Sequence, residues 1–174
     1  MLLSGYSIAL AETENLSALP EIERHAANLF RGWGVPDSVF AHNTSPETFA
    51  EAQRAGLLWL VLSPEQTPVA FALLERLGAT LHLQEMDVHP AHGRRGLGTA
   101  LLRQVFAWAK EGGYRALTLT TYRDIPWNAP FYAKLGFVTL SEAELTADLR
   151  ARMAQEAALG LALERRVAMS KRLV

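Results

Sequence analysis

The chain has 174 residues, 49% of them hydrophobic and 20% charged, with a net charge of -1. That composition suits one soluble globular domain over residues 1–174, and without a cationic excess it excludes bulk nucleic-acid binding. Cysteine is absent, which excludes a disulfide framework, a thiolate metal site and a covalent acyl-cysteine intermediate.

The elements follow in chain order. "YSIALAE" alternates loosely and predicts a first strand. Pro20 opens a helical pattern with Ile22, Ala26, Leu29 and Phe30 on one face, stopping near Gly32 and Gly34. "NTSPETFAEAQRAG" predicts a second helix, with Ser45 as cap, Pro46 at its first position and Gly56 at its end. "LLWLVL" and "PVAFALLE" are apolar runs of strand length around the polar turn "SPEQT". "ATLHLQEMDV" predicts a further strand ended by Pro90. "GTALLRQVFAWAKEGG" is an amphipathic helix whose stripe is Leu101, Leu102, Val105, Phe106 and Ala109, closed by Gly112 and Gly113. "YRALTLTTY" reads as a strand, "NAPFYAKLGF" as a short helix ending at Gly136, Ser141–Leu159 as one more helix, and "RVAMSKRLV" as a closing strand. Hairpins followed by strand–helix–strand–helix predict an α/β (α+β) sheet domain with helices on both faces. No apolar run reaches the roughly 18 residues of a membrane span, and the first residues lack the basic start and apolar stretch of a signal peptide, so a cytoplasmic location is expected, with no membrane partner.

One stretch calls for a ligand. "GRRGLG", Gly93–Gly98, places three glycines and two arginines between a strand and a helix. It is not a Walker loop, which needs G-x-x-x-x-G-K-[ST]. It is not a dinucleotide fingerprint either, because counting from Gly96 puts Leu101 where the third glycine belongs. The G-x-x-G-x-G that is present lets the backbone pass close to a ligand, and the following helix start adds unpaired N–H groups and a positive dipole end. Together they suit a pyrophosphate, with Arg94 and Arg95 adding charge at the rim. The alternative is a glycine-rich turn with two solvated arginines.

The loop resembles motif A of the GNAT superfamily of acetyl-CoA-dependent N-acetyltransferases, a [QR]-x-x-G-x-[GA] turn after a central strand. "NAPFYAKLGF" resembles its motif B, a short helix ending in Tyr-x-x-x-Gly-Phe, and the interval of one helix and one strand fits as well. The resemblance covers nearly the whole chain. It implies a mixed, twisted sheet of six to seven strands, splayed open after the motif A strand, with CoA wedged into the split. The pyrophosphate would sit on the N–H groups of Arg94, Arg95, Gly96, Gly98 and Thr99. The pantetheine arm would pair with the backbone of Met86 and Val88 as an added strand. Two positions depart from the pattern. Gly93 stands where Gln or Arg is usual, so it supplies an N–H but no side chain. Ile125 stands seven residues before Tyr132, where the family often has Asn. "RDIPWNAPFY" would build that wall differently, with Pro126 and Pro130 fixing the backbone and Asn128 and Phe131 as cofactor-binding candidates.

Acetyl transfer to an amine needs a base for the amine, a donor for the carbonyl oxygen and an acid for the departing thiolate. The resemblance assigns the acid to Tyr132, while the backbone N–H of Val88 or its neighbour is the candidate oxyanion donor. Strand alternation puts His82, Gln84, Met86 and Val88 on one face and Glu85 with Asp87 on the other. Glu85 is the first candidate base, acting through water, and His82 the second; a bulge, frequent in the family here, would swap the faces. Glu23, Phe30 and Trp33 are candidates for the acceptor pocket, and Trp127 either lines the cleft or covers a sheet edge. His89 and His92 read as a solvated loop, and His25 and His42 sit at no metal-ligand spacing, so no metal is expected. The Ser141–Leu159 helix is an apparent insertion before the last strand, with Leu145, Leu149 and Met153 on one face; a lid, a homodimer contact and plain surface packing are its three readings. The expected activity is transfer of acetyl from acetyl-CoA to an amine of a small molecule or peptide. A non-catalytic acyl-CoA sensor and a bare interaction protein are the alternatives.

Overall fold

The computed structural model describes residues 4–41, 43–77 and 80–173. Seven strands form one open mixed sheet: β1 Ser7–Leu10, β2 Leu58–Leu62, β3 Pro68–Leu77, β4 Thr80–Val88, β5 Ala116–Tyr122, β6 Val138–Thr139 and β7 Arg166–Arg172, in the order β1-β2-β3-β4-β5-β7-β6. The β4–β5 pair is parallel, whereas β1–β2, β2–β3, β5–β7 and β6–β7 are antiparallel. The helices are α1 Leu19–Ala27, α2 Ser38–Ala41, α3 Pro46–Arg54, α4 Leu97–Glu111, α5 Ala129–Lys134 and α6 Ala147–Ala158. The chain gathers into two compact units, one running to Glu75 with Gln84–Trp108, the other Arg76–Leu83 with the residues from Ala109 onward.

In the first unit the apolar runs become central strands. Leu58, Trp59, Leu60 and Val61 are all buried, so β2 is covered on both faces. Register shows by what. Trp59 faces Ala72 and Leu60 faces Phe71 across the β2–β3 ladder, and cross-strand partners share a face while neighbours alternate. Trp59 packs edge-on against Trp108 of α4 at 5.8 Å, and Phe71 against Phe49 of α3 at 5.4 Å. Thus α4 and α3 lie on opposite faces of this part of the sheet. Ser45 caps α3 by accepting from Thr48 N at 3.1 Å, as its sequence predicts.

In the second unit Leu81, Leu83, Leu117, Leu119, Ile125, Phe137, Leu149 and Val167 are buried. Thr118, Thr120 and Tyr122 alternate onto one face of β5, opposite Ser170, Ala168 and Arg166 of β7. Thr120 donates to Glu156 of α6, which places α6 on that face. Thr121, on the other face, donates to Asn128 at the start of α5.

Two expectations need correction. The first helix ends at Ala27 and gives way to a 3-10 turn over Asn28–Phe30, so the helical stripe breaks and Leu29 is exposed. The single helix Ser141–Leu159 is two elements. Ser141 and Glu144 form a reciprocal capping box around a 3-10 turn, and Thr146 then caps α6 separately. The two-residue β6 precedes both and had no strand-length signal. His42 and Ala79, the expected start of the "ATLHLQEMDV" strand, lie outside the described residues.

Candidate active site

The glycine loop lies where strand, turn and helix predict it. His89 N donates to Val69 O at 2.8 Å, fixing the end of β4. Pro90–His92 form a 3-10 turn, and Gly93 N closes onto Pro90 O at 3.0 Å. A Cβ at Gly93 would stand 3.1 Å from that same oxygen. The tight turn thus accounts for glycine at the position where the motif has Gln or Arg. Arg94 (φ 60°) and Gly96 (φ 76°) are both left-handed, a conformation that disfavours a non-glycine residue such as Arg94. The first bond of α4 runs from Ala100 N to Gly96 O at 3.0 Å. Among the described residues, the backbone N–H groups from Arg94 to Thr99 have no backbone acceptor. Six consecutive free donors at the start of a fifteen-residue helix fit an anionic group.

The two arginines differ. Arg95 donates to Tyr6 Oη at 2.8 Å and to Ala91 O at 3.4 Å. Arg94 is exposed and has no side-chain partner among the described residues. His89 and His92, read from sequence as solvated, are instead part of a packed group. The His25 and His89 rings meet at 4.6 Å, tilted by 52°, His92 lies 6.1 Å from His89, and His92 Nδ1 is 2.9 Å from Tyr6 Oη. Burial and the neighbouring imidazoles pull the His89 pKa down.

On β4 the two candidate bases separate. His82 is 1% exposed, with Nδ1 2.9 Å from Thr118 Oγ1. That hydroxyl donates its proton to Leu81 O at 3.2 Å, so it accepts from His82, which is therefore the neutral Nδ1–H tautomer. Burial, with Arg152 nearby, holds its pKa at about 3, far too low to hold a proton taken from an amine. Asp87 shares its surroundings with Glu85 and Glu23: burial first, then these two carboxylates, push its pKa well above the usual carboxylate range. Glu85 Oε1 accepts from Met86 N at 3.3 Å. The parallel ladder between β4 and β5 pairs Leu81–Leu83 with Leu117–Leu119.

The expected acceptor-pocket residues do not act alike. Glu23 is buried and accepts from Thr44 N at 3.1 and 2.9 Å and from Thr44 Oγ1 at 2.8 Å. It ties α1 to the chain just before α3. Phe30 lines a shallow pocket with Val35, Asp37 and Phe40, and Trp33 is 39% exposed beside it in sequence.

In the second unit, Tyr132 is buried in α5 with its ring edge-on to Phe131 at 5.2 Å and to Phe137 at 5.6 Å. Asn128 is buried; its Oδ1 accepts from Thr121 Oγ1 at 2.7 Å and Tyr122 N at 3.4 Å. Its carbonyl oxygen thus holds the end of β5 to the start of α5. Ile125, the position expected to depart from a frequent family Asn, is fully buried core, and Trp127 is exposed.

Sequence reading missed the Tyr6–His92–Arg95 contacts and the Thr120–Glu156–Arg166 cluster, because no local pattern links residues so far apart. Among the described residues, no three His, Asp or Glu side chains are grouped to hold a metal ion, and no helix is long and apolar enough to cross a membrane.

The model of the acetyltransferase (GNAT) family matches residues 20–137, which include the loop, Tyr132 and Phe137. The chain belongs to this family. Solved GNAT structures share its fold. The ribosomal-protein-S18-alanine N-acetyltransferase of Escherichia coli is 22% identical with a TM-score of 0.67, the match covering 97% of this chain and 94% of that one. The PaiA N-acetyltransferase of Thermoplasma acidophilum, solved with coenzyme A, is 17% identical with a TM-score of 0.71 over 96% and 98% of the two chains. A GNAT acetyltransferase of Staphylococcus aureus is 16% identical with a TM-score of 0.73 over 97% and 99%. The expectation of an N-acetyltransferase on a mixed GNAT sheet therefore holds.

Proposed function

We propose that this chain transfers an acetyl group from acetyl-CoA to the primary amine of a small molecule or peptide, by direct attack in a ternary complex. The observation that carries the reading is the run of free N–H groups from Arg94 to Thr99 at the start of α4. The pyrophosphate of CoA binds these groups together with the turn at Gly93, and Arg94 adds a cation. The pantetheine arm pairs with Met86 and Val88 as an added strand, displacing the 3.3 Å bond from Met86 N to Glu85. Asn128 and Phe131 contribute to the cofactor wall. Acetyl-CoA supplies the activated acyl carbon.

Glu85 takes the amine proton through water. Asp87, which burial holds towards its neutral form, spares Glu85 a second anion on its own strand. The amine nitrogen bonds to the carbonyl carbon, the carbon–sulfur bond breaks, and Tyr132 protonates the departing thiolate. His82 is set aside as base by its low pKa.

Isothermal titration with acetyl-CoA tests the reading, and no binding at millimolar ligand would end it. A panel of amines, followed by free-thiol release, then identifies the acceptor; the protein contains no cysteine to give a background. Tyr132→Phe should lower kcat by about 100-fold, the scale of a lost general acid, with CoA affinity within about twofold. Tight CoA binding without thiol release on any amine would point instead to an acyl-CoA-binding module.

A further inference from the structure

The hydroxyl of Tyr6, just ahead of β1, is fully used and none of its partners is local. Arg95 Nη1 donates to it at 2.8 Å, and it lies 2.9 Å from His92 Nδ1. Arginine can only donate, so the tyrosine oxygen accepts there, and the direction of its bond with the imidazole follows the tautomer of His92. The tyrosine ring meets the His92 ring edge-on at 5.9 Å. Both partners flank the turn at Gly93: His92 closes it, with its N–H on His89 O at 2.8 Å, and Arg95 follows the left-handed Arg94. Arg95 also reaches back to Ala91 O. The two sides of the loop are therefore joined through one phenol.

We propose that Tyr6 is a positioning residue for the pyrophosphate loop. The loop lacks the motif's first Gln or Arg, and a side chain at Gly93 would meet Pro90 O. It also holds Arg94 in a conformation that costs free energy on its own. The Arg95–Tyr6–His92 relay holds the loop in its donor-outward form before ligand arrives. It also commits the Arg95 guanidinium, leaving Arg94 as the loop's side-chain contact for phosphate. Pre-organisation of this kind acts on binding and not on the chemical step.

The inference rests on the acetyl-CoA reading, and one set of titrations separates the two. Failure of the wild type to bind CoA overturns the acetyl-CoA reading itself. If the wild type binds, Tyr6→Phe should raise the CoA Kd and the acetyl-CoA KM about fivefold, the scale of one lost hydrogen bond, with kcat unchanged. A change confined to general stability would not split KM from kcat in this way. Arg95→Met should weaken CoA binding to a similar extent, and adding Tyr6→Phe to it should have no further effect, since either change opens the relay. An unchanged Kd in Tyr6→Phe, or independent multiplication of the two effects, overturns the proposal. If Tyr6→Phe does not fold, His92→Phe, which removes the other partner of the phenol, decides: a raised Kd with kcat unchanged supports the proposal, and an unchanged Kd overturns it.

Discussion

His82 is the residue whose environment most changes its chemistry. It sits among apolar strands, donates to Thr118 and lies under the positive field of Arg152. Burial, first, and the Arg152 charge favour the neutral ring. Its pKa falls from 6.5 to about 3 in the folded chain, while in the unfolded chain it titrates normally. The unfolded state therefore binds the extra proton between these values and the folded state does not. The stability associated with His82 is complete above pH 6.5 and is lost as pH falls from 6.5 toward 3, at a limiting slope of about 1.4 kcal/mol per unit. His82→Gln replaces the ring by a group that does not titrate. Urea unfolding at pH 7, 6 and 5 should show the variant less stable than wild type at pH 7, by about 1–2 kcal/mol for the altered hydrogen bond and packing. The gap should close by about 2 kcal/mol at pH 5. Parallel pH profiles for the two proteins would show that the ring is protonated inside the fold.

At the scale of elements, α6 is the one whose role the sequence leaves open among lid, dimer contact and surface packing. It is docked on β5 and β7 of its own unit. Glu156 accepts from Thr120 and from Arg166, whose Nη2 stands 3.0 Å from the carboxylate, and the two charged side chains are only 15% and 10% exposed. Arg166 also covers the Tyr122 ring at 4.9 Å. Removing one charge strands the other in a poorly hydrated place, so Glu156→Gln should cost about 3 kcal/mol in urea unfolding. The double change Glu156→Leu, Arg166→Met should cost clearly less than that single change; a cost equal to or above it would contradict the reading of the pair as poorly hydrated.

Legibility follows the same length scale. Long periodic runs such as α4, and a capped helix such as α3, are plain in the sequence because many residues repeat one signal. The four residues of α2 and the two of β6 are too few to show a period. The break before α6 was written as two capping residues, Ser141 and Thr146, which a continuous apolar stripe concealed. In the site, "GRRGLG" is legible because its three glycines fall within six consecutive residues. Tyr6 and Arg95 meet across 89 positions of sequence, and only the fold brings them together.

For the molecule as a whole, a net charge of -1 supplies no general attraction for a polyanionic ligand. On the proposed reading, affinity for CoA comes from the folded loop, in which Arg94 and Gly96 are left-handed and α4 begins behind them. The unfolded chain has no such cradle, so ligand binds the native state alone and stabilises it by mass action. At 100 times Kd the stabilisation is about 2.7 kcal/mol. For a chain of this length that raises Tm by about 5–10 °C, which thermal denaturation with and without CoA reads directly. Gly96→Asp supplies the control. No atom lies within 4 Å of a Cβ at this position, and aspartate tolerates the left-handed region better than most residues, so the unliganded variant should melt within a few degrees of wild type. Its carboxylate, placed among the loop donors, repels phosphate and competes for the same N–H groups. The CoA-dependent rise should therefore vanish while the fold persists. A rise of full size in Gly96→Asp would move the anion site away from this loop.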